Sequence, residues 1–236
     1  MIEVEDGATP SIRTVTIDRP AARNALTIEA LEGLETAIEN ADESVVSLRG
    51  AGPAFCAGAD LATVGDLEGD SERAAEFARL GQRVARAIEE SPAVVVAEID
   101  GPARGGGLEL ALACDVRVGT PESTYGEPGV TFGLFGAWGG TVRLPRVIGE
   151  GHALEFALSG RTVDAEEALR MGLISRLEDD PRAVVEQIAS NADDALTALK
   201  RRIRDDRERA TQERLEAEAF GTLVETHADD IDSVLE

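Results

Sequence analysis

The segment AVVVAEID, residues 93–100, constrains this chain more than any other. It is an apolar run introduced by Pro92, and such a run reads as a buried strand. It passes into GPARGGG, read as a sharp turn, and then into LELALACD, a short apolar helix. A second apolar run, Ser44 to Leu48, enters RGAGPAFCAGADL in the same manner. Alternation of polar and β-branched residues predicts an earlier strand over Ile12 to Ile17. After the turn RPAARNALT, Thr27 can cap a helix from Ile28 to about Asn40, with Leu31, Leu34 and Ile38 on one face. An acidic stretch from Val64 to Ser71 is expected to be mobile and to precede a helix from about Glu72 to Glu89. A further strand is expected from Asp115 to Val118. Short strands thus alternate with helices to about residue 120, which implies an α/β core.

Beyond that point, GEPGVTFGLFGAWGG reads as a regular glycine-rich loop. Helices are expected at about Gly151 to Leu158 and Asp164 to Met171, joined by the turn SGRT. The tail from Pro181 to Glu236 reads as helical and charged. This divides the chain into a core at 1–180 and a helical region at 181–236. The charged stretch from Ala198 to Glu218 is most simply a solvated helix face.

Charge narrows the function. The chain of 236 residues has 46 Asp plus Glu against 23 Lys plus Arg, a formal net charge of −23. Such a surface repels phosphate backbones and anionic bilayers, which argues against nucleic-acid and membrane partners. A hydrophobic content of 43% argues for a core rather than disorder. Lys200 is the sole lysine. Acidity and lysine loss together read as a surface that stays hydrated in concentrated salt, as in a halophile's cytoplasm. The N-terminus lacks a signal-peptide pattern, and no apolar run is long enough to span a membrane, so a cytoplasmic location is expected. Cys56 and Cys114 show neither metal nor redox spacing and read as small buried side chains. His152 and His227 have no partner at ligand spacing, so no metal site is expected.

Two segments carry chemistry. FCAGAD, residues 55–60, runs from a strand into small residues that let a ligand approach the main chain. GGGLE, residues 105–109, opens a helix whose first N–H groups lack intrahelical partners. Turns on adjacent strands could aim two N–H donors at one oxygen, an oxyanion hole for a carbonyl that becomes an enolate. Glu109 sits on an apolar helix, where burial raises a carboxyl pKa and suits it to general acid–base work. The competing reading is a buried glutamate paired with an arginine.

RGAGPAFCAGADL, IDGPARGGGLELALACDVRV and RLPRVIGEGHALEFALSGRTVDAEEALRMGLISRL, in that order, resemble the crotonase (enoyl-CoA hydratase/isomerase) superfamily. The resemblance covers roughly residues 10 to 180. It implies a spiral of ββα units with a C-terminal helical region that mediates trimerisation, as a homotrimer or a dimer of trimers. It implies hydration of a 2-enoyl-CoA through a thioester enolate. The alternatives are decarboxylation or isomerisation of an acyl-CoA, or acyl-CoA binding with weak turnover. CoA would arrive on the substrate, so no separate cofactor is implied. Ala59 and Gly106 match the two oxyanion-hole donors, and Glu109 matches the first catalytic glutamate. Arg23, Asn24 and Ala25 match a segment lining the CoA groove, and Asp60, Leu61 and Ala62 match a loop touching CoA.

The pattern breaks at the second glutamate, where the matching residue is Gly129. Glu127, two residues earlier, is expected to point elsewhere. Gly129 and the following GAWGG are similar to the dihydroxynaphthoyl-CoA synthase branch, whose aspartate in this loop matches Gly136. Ala62 stands where the family often has a lysine near CoA.

Overall fold

The computed structural model describes residues 1–6 and 11–229. Residues 230–236 of the expected helical tail lie outside the described residues.

The chain begins with β1 (Ile2–Asp6), antiparallel to β2 (Ile12–Ile17). A short 3-10 turn at Pro20–Ala22 leads to α1 (Ile28–Glu39), capped as expected by Thr27, whose side chain accepts from the Ala30 N–H. Next come β3 (Val45–Gly50), α2 (Leu61–Gly65), α3 (Ser71–Glu90) and β4 (Val94–Ile99). Then follow β5 (Pro102–Arg104), α4 (Gly106–Ala113), β6 (Val116–Gly119) and β7 (Thr124–Gly126). The later elements are α5 (Gly140–Ile148), α6 (Glu150–Ser159), β8 (Thr162–Asp164), α7 (Ala165–Met171) and β9 (Arg176–Leu177). The chain ends in α8 (Arg182–Ala189), α9 (Asp193–Ile203) and α10 (Arg209–Thr226).

The main sheet has the order β1-β2-β3-β4-β6-β9, and all its pairs after the first are parallel. Side-chain alternation along β4 explains its unbroken apolar run. Val95, Ala97 and Ile99 enter the larger core with Leu31, Leu34 and Ile38 of α1 and Phe77, Val84 and Ile88 of α3. Val94 and Val96 face the other way, into a smaller core closed by Val184 and Val185 of α8. A second, three-stranded sheet, β5-β7-β8, stands beside the first.

The stretch from Val64 to Ser71 holds the end of α2, a chain of turns and the first residue of α3, with Leu67 buried. Several other expectations are corrected. GPARGGG contains β5, and the turn SGRT leads straight into β8, because these short strands pair with β7. The glycine-rich loop holds a 3-10 turn at Pro128–Phe132, and α5 follows despite an internal proline, Pro145. The stretch from Ala198 is not simply a solvated face. Lys200 is buried, with Nζ 2.8 Å from Asp115 and 2.7 Å from the Ala93 carbonyl. Arg204 pairs with the same Asp115 at 2.7 Å.

Candidate active site

The two glycine-rich turns lie side by side because β3 and β4 are parallel neighbours. Beyond β3, Cys56 bridges to Ala103 on β5: its N–H donates to the Pro102 carbonyl at 3.2 Å, and its carbonyl accepts from the Arg104 N–H at 2.9 Å. Gly58 then adopts a φ of +89°. A Cβ there would lie 2.7 Å from the Arg104 carbonyl oxygen and 3.0 Å from the Gly106 nitrogen, so only glycine lets the turns close on each other.

Ala59 pairs with Leu26 as a parallel bridge. That pairing uses the groups on either side of Ala59: the Leu26 N–H donates to the Gly58 carbonyl, and the Asp60 N–H to the Leu26 carbonyl. The Ala59 N–H is therefore turned to the opposite edge. Gly106 opens α4, and its N–H belongs to the unsatisfied first turn. Among the described residues, neither amide donates to another protein group.

Glu109 sits one turn into α4 and is 1% exposed. Its Oε1 accepts the backbone N–H groups of Trp138 at 2.9 Å and Gly140 at 2.6 Å. Burial pushes its carboxyl up to about 7, against the pull of these two amides and of the Arg143 charge. Arg143 itself pairs with Glu89, so Glu109 is held by amides at the start of α5 and not by an arginine. The carboxyl is roofed by glycine backbone. A Cβ on Gly136 would lie 2.7 Å from the Glu109 Cδ, and one on Gly140 2.7 Å from its Oε1. At position 136 Glu109 fills the space an aspartate would need.

Glu127 is buried and lies close enough to Glu109 to feel its charge. It is 8% exposed, and its buried Oε1 has no hydrogen-bond partner. Burial, and then the charge of Glu109, push its carboxyl up to about 8. The reason lies in the backbone: the Gly105 N–H donates to the Gly126 carbonyl at 2.9 Å, which holds the residue after β7 beside the first turn of α4. Gly129 lies in the 3-10 turn against the next loop, where a Cβ would come 3.0 Å from the Phe135 Cα.

The sequence from residue 7 to 232 matches the family model described as Enoyl-CoA hydratase/isomerase. The chain belongs to that family. A putative enoyl-CoA hydratase/isomerase, YngF, of Bacillus subtilis is 44% identical over 168 residues. That match covers 69% of this chain and 64% of the relative, so the chain spans just under two thirds of YngF. The short-chain-enoyl-CoA hydratase of Clostridium acetobutylicum is 35% identical over 230 residues, covering 91% of this chain and 87% of the relative. Among solved structures, enoyl-CoA hydratase from Bacillus anthracis superposes with a TM-score of 0.87 at 32% identity, covering 95% of this chain and 91% of that one. The α/β architecture expected from the sequence is thus the crotonase fold.

The other family-matched positions cluster on one side of the Ala59 turn. Arg23 and Asn24 have left-handed φ values of 52° and 59°. The Arg23 carbonyl accepts the Ala57 N–H, and the buried Asn24 side chain donates to the carbonyls of Ala51 and Ala54. The Ala25 carbonyl accepts from Arg19, which also pairs with Asp60. Asp60 caps α2 by accepting from the Ala62 and Thr63 N–H groups. The Arg19 contact, with these amides, holds its carboxyl below the usual range. Leu61 and Ala62 are exposed on α2. Gly129, the remaining position, lies in the 3-10 turn at Pro128–Phe132.

Sequence reasoning missed Trp138. Its indole is wedged between α3 and α4, at the places where a Cβ on Gly81 or Gly106 would come within 2.2 Å and 2.3 Å of the ring. It meets the Phe77 ring edge-on at 5.7 Å. The available signal was its uniqueness: it is the only tryptophan in a chain with 3% aromatic residues. Cys56 and Cys114 are free and buried, and burial pushes both thiols up to about 12. A surface cavity of about 620 Å³ lies between α9, α10 and residues 41–44, and neither turn contributes to it.

Proposed function

We propose that this chain hydrates a 2-enoyl-CoA. The thioester carbonyl oxygen sits between the N–H groups of Ala59 and Gly106, which hold the enolate as charge develops there. Glu109 moves a proton to or from water. Arg23, Ala25, Asp60, Leu61 and Ala62 receive the CoA moiety. The observation that carries this reading is Glu109: a buried carboxyl near neutrality, one turn beyond an amide with no protein acceptor. A base poised near the working pH is the efficient one. The names of the hydratase relatives agree with it.

The test is a panel of acyl-CoA thioesters, assayed in concentrated potassium chloride and read by product mass. Addition of one water to a 2-enoyl-CoA, lost in Glu109→Gln, is the expected result. Unchanged turnover by that variant would overturn it.

Gly129 favours a second reading, because no carboxylate stands at the family's second position. Decarboxylation or isomerisation needs the hole and one acid only. Release of CO₂ from a malonyl-type thioester without hydration of crotonyl-CoA would select the former. Tight CoA binding with no turnover at any salt would indicate a binding protein.

Assembly as a homotrimer or dimer of trimers is part of the proposal. It is supported by exposed apolar side chains on neighbouring elements, including Phe132, Phe135, Val142 and Leu158. A halophilic, cytoplasmic setting is supported by the charge.

A further inference from the structure

We infer that Glu127 is the proton-carrying partner of Glu109, and that the two carboxyls work as an acid–base pair on one substrate double bond. This rests on the hydratase reading above and supplies the second acid that Gly129 lacks.

The argument starts from an unfilled valence. A carboxyl oxygen removed from water and left without a donor is costly, and native chains rarely leave one. Glu127 Oε1 is such an atom. Its neighbours do not supply a counter-charge. From β5, the Arg104 guanidinium runs beside Gly126 but donates to Ala103 and to both oxygens of Thr124. Arg161, ahead of β8, is held by Glu155 of α6 and Glu167 of α7. Arg143 of α5 is held by Glu89. Tyr125, on the same strand as Gly126, donates to Ser123. Among the described residues, the one ionisable group whose field reaches Glu127 is Glu109 on α4. A buried acid that faces only another acid keeps its proton.

The two environments assign the roles. Glu109 is solvated by two backbone N–H groups, which favour its ionised form. Glu127 has no such donors. Glu109 therefore ionises first, at about 7, and Glu127 titrates later, at about 8, against that charge. Between those values Glu109 is a base and Glu127 an acid.

The step balances with water as the only co-reactant. Glu109 takes a proton from water as its oxygen bonds to C3. The C2–C3 π pair moves to form the enolate held by the Ala59 and Gly106 amides. Glu127 gives its proton to C2 as the enolate collapses to the thioester. A proton passed from Glu109 to Glu127 restores the pair, and the net change is one water added.

Glu127→Gln tests this, since glutamine keeps the volume and there is no hydrogen bond at Oε1 to lose. With circular dichroism confirming the fold, hydration kcat is expected to fall by about 10²–10⁴-fold. The alkaline fall of the kcat profile should vanish from the residual activity, and Glu127→Asp should recover part of the rate and that fall. Unchanged kcat with an unchanged alkaline limb, while Glu109→Gln is inactive, overturns the pairing and leaves the hydratase reading intact. A second measurement needs no turnover: carboxyl ¹³C shifts of Glu127 and Glu109 followed across pH in the intact protein. Glu127 losing its proton after Glu109 is expected. Glu127 ionised in the ordinary carboxylate range overturns the pairing. Ordered titration in a chain that hydrates no enoyl thioester would sustain the pairing and overturn the hydratase reading.

Discussion

At the scale of single residues, the proposed role of Glu109 predicts the pH dependence. Its raised carboxyl is a base only above about 7, so kcat/KM should rise with pH through that value and flatten beyond it on the acid side of the profile. Glu109→Gln should lose about 10²–10⁴-fold in kcat while keeping the fold, because the amide oxygen can still accept from Trp138 and Gly140. The same shift has a consequence for stability. Glu127 binds its proton more tightly folded than unfolded, from the ordinary 4.5 to about 8. The folded state thus holds more protons across that interval, and this group's contribution is full below it and is lost as pH rises through it. Glu127→Gln should therefore melt several degrees above the parent in alkaline buffer and close to it in acid. Thermal melts at two pH values decide this, and equal melting in alkali would mean that Glu127 is not held protonated by the fold.

At the scale of elements, the site depends on how α3 and α4 grip one indole. Gly81→Ala on an ordinary helix gains about 1 kcal/mol from propensity. Here the new methyl would start 2.2 Å from the Trp138 ring, and overpacking costs about 1–3 kcal/mol, so the net effect is destabilising. The indole must move, and with it the N–H that holds Glu109. A lower denaturant midpoint, altered emission of the single tryptophan and reduced kcat should appear together. A stabilised variant with full activity would show that the wedge is slack. At the other end, Lys200→Met should cost about 3 kcal/mol, the low end for breaking a buried pair, because Asp115 keeps Arg204. A loss below about 1 kcal/mol would class that pair with exposed ones. These elements also mark what the sequence could reveal. The β4 run, the Thr27 cap and the glycine turns beside Glu109 were legible, because each is written in adjacent residues. The short strands β5 and β8 were not, since their pairing with β7 is settled by partners about 20 to 40 residues away. No helix is expected from the sequence over α5, which follows the glycine-rich loop and carries Pro145 inside it; Leu144 and Ile148 of α5 pack into the core with Leu108 and Leu112 of α4. Glu127 was unreadable for the same reason: its position beside α4 rests on one long-range backbone bond, from Gly105 to Gly126.

At the scale of the whole molecule, a net charge of −23 would, on the proposed reading, meet an acyl-CoA that carries several phosphate charges. The two effects of salt oppose each other. If Arg23 and its neighbours held the phosphates, salt would screen that attraction and weaken binding. If the surrounding acids dominate, salt would relieve repulsion and strengthen it. The range of the field decides, because charges beyond roughly 10 Å are already screened at 0.1 M. The strip near Ala59 is locally acidic. Residues 60–73 contain Asp60, Asp66, Glu68, Asp70 and Glu72 against Arg73 alone, and Arg19 is already committed to Asp60. Repulsion should therefore prevail, and KM for an acyl-CoA should fall as potassium chloride rises toward 1 M, where the screening length shrinks to roughly 3 Å. The melting temperature should rise in parallel, since the same repulsion acts on the compact state. Measuring both separates two meanings of the acidity. A rising melting temperature with a flat KM would confine the role of the charge to the fold. A KM that climbs steadily from dilute buffer would mean that exposed arginines, Arg23 first among them, outweigh the acids around them.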